Sequence, residues 1–87
     1  MIRVRTIEDP TFQLTSGDPD SDSNALELLD ENEIALMEIR ATVEGKHQLV
    51  IYSTDDHIAI PIDALEEGIR IAKKNVWLTP FPRDGGA

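Results

Sequence analysis

From residue 33 to 44 the alternation is unusually regular, with Ala35, Met37, Ile39, Ala41 and Val43 at one parity and Glu38, Arg40, Thr42 and Glu44 at the other. Successive side chains of a strand point to opposite faces, so this segment sorts into an apolar and a polar side only as a half-buried strand. Gly45 and Lys46 supply a two-residue turn into a second strand over 47–53, whose apolar residues at both parities predict a central place in a sheet. Asp55 and Asp56 turn the chain again into 57–62, where Ile58, Ile60 and Ile62 share a face. Pro61 has no N–H, which confines that strand to an edge or to pairing through its first residues.

A helix is expected next. Asp63 with Glu66 three residues on reads as a capping box, and Leu65, Ile69, Ala72 and Val76 make one apolar stripe around a helix from about 64 to 74. Gly68 costs about 1 kcal/mol relative to Ala inside a helix, and its missing side chain allows a close approach to the sheet. The prolines at 80 and 82 exclude both helix and central strand, so the tail 76–87 is extended and frays at its end.

At the other end, the alternation of 2–7, the break at Glu8-Asp9-Pro10 and the short alternation through Phe12 and Leu14 predict a hairpin. Residues 16–23 hold no apolar side chain and favour turns, which predicts a surface loop. Asn24 with Glu27 imitates a second capping box ahead of a short helix over 25–29. The expected class is α+β: an antiparallel sheet of about four or five strands with one main C-terminal helix on one face, plus a short acidic helix or loop. At 87 residues there is room for a single core and one domain.

Charge carries the functional reading. From Thr6 to Ile39 stand ten acids and no base, while the whole chain has a net charge of −9. Residues after 39 are nearly balanced, so the acidity forms one block and predicts one acidic face. Such a face repels nucleic acid and anionic lipid and suits a basic protein partner. The chain has no cysteine, hence no disulfide, thiolate metal site or thiol nucleophile. With no signal-like apolar region and no run of ~18 apolar residues, a cytoplasmic protein without membrane contact is expected.

Motifs for chemistry are weak. Asp18, Asp20 and Asp22 are spaced like the start of a calcium loop, but Ser23 stands where that loop needs Gly and Leu29 where it needs Glu, so a solvated loop is the better reading. Asp55 and His57, with His47 on an adjacent strand, fall short of a third ligand at a diagnostic spacing. No Gly-rich phosphate loop and no nucleophile-base constellation is present, and no cofactor is expected. Arg70, Lys73 and Lys74 make a small basic helix face, most simply solvated.

The expected function is therefore a non-enzymatic acidic protein-binding module, an inhibitor that occupies the basic nucleic-acid groove of a nuclease or another nucleic-acid enzyme. Phage anti-restriction and anti-CRISPR inhibitors and nuclease-immunity proteins share this size and acidity. The residues expected to meet the partner are Asp18, Asp20, Asp22, Glu27, Asp30, Glu31 and Glu33, with Trp77 and Phe81 as aromatic anchors if they do not merely cover the sheet edge. The alternative is a homo-oligomerising structural or accessory subunit, a homodimer for instance, in which acidity maintains solubility.

Overall fold

The computed structural model describes residues 3–16 and 21–80. Seven strands and one helix follow in the order β1 (Val4–Thr6), β2 (Thr11–Ser16), β3 (Ser21–Leu29), β4 (Ala35–Ala41), β5 (His47–Ile51), β6 (His57–Ala59), α1 (Ile62–Asn75) and β7 (Leu78–Pro80). The α+β class is thus observed. The main sheet runs β2-β3-β4-β5 with every pairing antiparallel, and β7 pairs with the first residues of β3. β1 and β6 form a separate two-stranded parallel sheet.

The strong alternation of β4 does what its pattern requires. Met37, Ile39 and Ala41 are buried, and Ile39 and Ala41 join Leu26 of β3 and Ala72 and Val76 of the helix region in the core. Gly45 turns at φ 82°, and the hairpin closes through Gly45 N–H to Thr42 O at 2.9 Å and Thr42 N–H to Lys46 O at 2.7 Å. The turn therefore reaches from Thr42 to Lys46, longer than two residues. β5 lies at the edge of the sheet, not at its centre. Its two apolar parities serve different purposes, since Leu49 and Ile51 lie on the helix side and stay largely uncovered.

The segment expected as a short helix is β3, the longest strand. Asn24 caps no helix start. Its side-chain amide donates to Asn75 O at 2.7 Å and its carbonyl oxygen accepts the Trp77 N–H at 3.0 Å, tying the end of α1 to the sheet. Local helical signals at Asn24 and Glu27 lose to ladder bonds on both sides, because β2 and β4 each pair along Ala25–Leu29 and between them satisfy its backbone N–H and C=O groups. The expected loop over 16–23 likewise gives way to strand at Ser21.

Among the described residues the expected N-terminal hairpin does not form either. β1 pairs in parallel with β6, placing Val4 beside His57, and β2 pairs with β3. Pairing of β6 stops at Ala59, two residues short of Pro61, as the missing N–H demands.

The helix starts at Ile62 with Pro61 as its N-cap and no side-chain cap bond, so Asp63 acts in the first turn through the helix dipole and not as a cap. Gly68 is buried. A Cβ there would lie 2.8 Å from the Phe12 ring and 3.5 Å from Leu28. That close approach seats the helix on β2 and β3. No helix among the described residues is long and apolar enough to cross a membrane.

Candidate functional site

The acids of the block divide by what surrounds them. Asp30 follows directly on β3 and is only 3% exposed. Its Oδ1 accepts the N–H groups of Asn32 at 2.8 Å and Ile34 at 3.0 Å, folding the turn into β4. Its Oδ2 accepts Arg5 Nη2 at 3.0 Å, and the same guanidinium reaches Glu31. Arg5 thereby fastens the small parallel sheet to the main one. The turn N–H of Ile34, above all, with help from Asn32 and Arg5, holds the Asp30 carboxyl below the usual carboxylate range against the opposing effect of burial. Glu31 is lowered by its own backbone N–H and by Arg5. Asp30 is a structural carboxylate with both oxygens engaged, and it is withdrawn from the partner-binding set.

Glu27 and Glu38 present the opposite case. The register of β3 on β4 sets them directly across from one another. They lie on the face turned away from α1, because Leu26 and Ile39, their neighbours in sequence, point into the helix-side core. Both are half-buried, and among the described residues neither has a Lys or Arg within ion-pair distance. Tyr52 stands beside them. Burial, and then the charge and hydrogen bond of Glu38 with a contribution from Glu27, pushes its hydroxyl above the ordinary phenol range, with Arg40 opposing.

An open cleft of about 600 Å³ adjoins this group, lined among others by Ala25, Glu38, Arg40, Gln48 and Leu78. Its lining is mostly polar, and Arg40 stands in it together with Glu38.

The remaining expected residues scatter around this centre. Glu33 is exposed in the β3–β4 turn and adopts φ 62°, the left-handed region that favours Gly or Asn. Asp22 is placed in β3 opposite Thr79. Trp77 is 44% exposed between α1 and β7, so it neither fills the core nor stands fully free. Asp18, Asp20 and Phe81 lie outside the described residues. The sequence reading omitted Glu38, Arg40 and Tyr52 from the site. Glu38 carried a signal, since its parity in β4 already set it opposite the apolar face, but only register reveals that it meets Glu27.

The weak metal reading gains no support. Asp56 lies 3.8 Å from Arg3, His57 pairs in the small sheet, and His47 bonds Val76 O at 3.0 Å from the other sheet. Among the described residues no group of three His, Asp or Glu is placed to hold a metal ion. Of the basic helix face, Arg70 is occupied by Glu67 of its own helix, with Nε to Oε2 at 3.0 Å.

Against known proteins, no family model matches the chain, and no curated protein or solved structure is significantly similar to it.

Proposed function

We propose that this chain is a non-enzymatic acidic protein-binding module whose outer sheet face docks on a basic protein surface, such as the nucleic-acid groove of a nuclease. The observation that carries this reading is the Glu27–Glu38 pair. Like charges directly opposite on a sheet are destabilising, and here they stand half-buried beside a tyrosine, with no Lys or Arg of the described residues within ion-pair distance and Arg40 on the same face. A lysine or arginine from a partner would relieve that repulsion, turning a cost of the free protein into affinity. The strained backbone of Glu33 points the same way, because a Gly would fit that turn more easily and bring no charge.

The acidic face is smaller than the whole block. Asp30 and Glu31 are already matched by Arg5, leaving Glu27, Glu38 and Glu33 along the sheet and its turn. β3 itself spans roughly 26 Å at ~3.3 Å per residue, comparable with several base pairs of duplex phosphate.

The test is retention of host proteins on the immobilised chain at low and high salt, beside the Glu27→Gln/Glu38→Gln double variant. A nucleic-acid enzyme held by the parent, released by salt or by added duplex DNA and not held by the variant, is the expected result. Equal retention by parent and variant removes the outer face as the site.

A further inference from the structure

We infer that the furrow between α1 and β5 binds a small anionic amphiphile, a medium-chain carboxylate whose tail lies along the furrow and whose head pairs with Lys73. The site is on the helix side of the sheet, separate from the acidic outer face, and does not depend on it.

The first ground is how the helix is seated. Gly68 sets α1 down on Phe12 of β2 and Leu28 of β3, so the helix leaves the helix-side residues of β5 as an open shelf. The step between helix and shelf is a furrow of about 210 Å³, with Ile39 and Leu49 from the sheet and Leu65, Ile69 and Ala72 from the helix. That volume is below the range for drug-sized ligands and suits a single aliphatic chain. The 3.0 Å bond from His47 to Val76 O ties the start of β5 to the end of α1 and bridges the furrow at that end. From Leu65 to Lys73 the helix flank runs about 12 Å, the span of an extended chain of roughly eight carbons. At the other end Ile51 and Ile62, 69% and 65% exposed, continue the apolar surface by strand parity and helical spacing.

The second ground is the charge at the rim. Lys73 lines the furrow near the bridged end. Among the described residues it makes no ion pair. No acid stands three or four residues from it on the helix, where the sequence has Ile69, Arg70, Val76 and Trp77. The other residues of the furrow carry no acid either. In a chain with 17 Asp and Glu against 8 Lys and Arg, the cation over this apolar trough is left without a carboxylate. Lys46, beside His47, and Lys74 add positive charge at the same end.

These two features select the ligand class. An apolar lining disfavours a sugar or a nucleoside, whose hydroxyls would lose their hydrogen bonds to water without replacement. A lone ammonium with no arginine fork beside it matches a monoanion better than a phosphate dianion. An aliphatic tail ending in a carboxylate meets both conditions.

Titration of the full chain with octanoate below its micelle concentration, followed by calorimetry and amide NMR shifts, tests the site. A dissociation constant of about 0.1–1 mM is expected, with shifts centred on residues 47–51 and 62–73. Hexanoate, two CH2 groups shorter, binds about tenfold more weakly. Lys73→Gln weakens octanoate about fivefold and leaves octanol unchanged, whereas Lys74→Gln affects neither. Leu49→Asp, folded by circular dichroism, loses both. Absence of saturable binding, shifts centred on the outer face, octanoate indifferent to Lys73→Gln or to Leu49→Asp, or equal losses for octanoate and octanol in Lys73→Gln overturns the inference.

Discussion

Two pairs of acids from the same block meet opposite fates. Asp30 and Glu31 sit at the end of β3, share Arg5 and have their charge absorbed by the fold, while Glu27 and Glu38 face one another across β3 and β4 with no ion pair among the described residues. Net charge is blind to this difference. A carboxylate that accepts turn N–H groups and a guanidinium stabilises the native state, whereas two carboxylates opposed on a strand pair weaken it and leave their potential open to a ligand.

The largest break in that comparison is expected from Asp30→Ala. It orphans two turn N–H groups and the Arg5 guanidinium, and the melting temperature falls by roughly 10 °C or more. Glu27→Gln, by contrast, leaves the melting temperature unchanged or raised. A thermal melt that ranked the two alike would erase the distinction between structural and presented acids.

Acid titration sharpens it. Asp30 and Glu31 are lowered from ordinary values of 3.8 and 4.5, so between the ordinary and lowered values the unfolded chain binds more protons than the folded one. Their contribution is full above about pH 5, declines as the pH drops through the ordinary values and is gone below the lowered ones. Arg5→Gln should flatten this dependence in denaturant melts across pH 2–6, and an unchanged profile would assign acid sensitivity elsewhere.

At the turn between the pairs, Glu33→Gly is expected to stabilise the protein by about 0.5–1 kcal/mol by relieving the positive φ, measured by urea unfolding. It should also weaken partner binding. On the open pair, Glu38→Gln should change stability by less than about 1 kcal/mol, in the favourable direction.

The smallest effect is spectroscopic. Tyr52 is the chain's single tyrosine, so phenolate absorbance reads it alone. Its midpoint lies above the ordinary 10.0, the Glu38→Gln variant lowers it, and a bound cationic partner lowers it likewise. As a raised group, Tyr52 contributes stability that is present below pH 10 and lost as the pH rises through its folded value.

Local pattern was enough for β4, for the place though not the length of the turn at Gly45, and for α1, since alternation, positive φ and a 3.6-residue stripe are each set within a dozen residues. It failed at 24–29, where capping-like and helix-forming residues occupy a strand that two neighbours hold in place. It failed again at β1, whose parallel partner β6 lies more than 50 residues away, because non-local pairing leaves no periodic trace. The same holds for the site. The acidity of residues 6–39 is plain in the sequence, but Arg5 closing on Asp30, Glu27 meeting Glu38 and Tyr52 arriving beside them all depend on which strands are neighbours.

By itself, then, the sequence determined the class of fold, the main helix, the half-buried strand β4 and the sign of the charge, because each follows from neighbours along the chain. Tertiary structure alone decided which acids are consumed in holding the sheets together and which are displayed. Coulomb energy depends on distance through space, and register, which sets that distance, is a property of paired strands and not of either one.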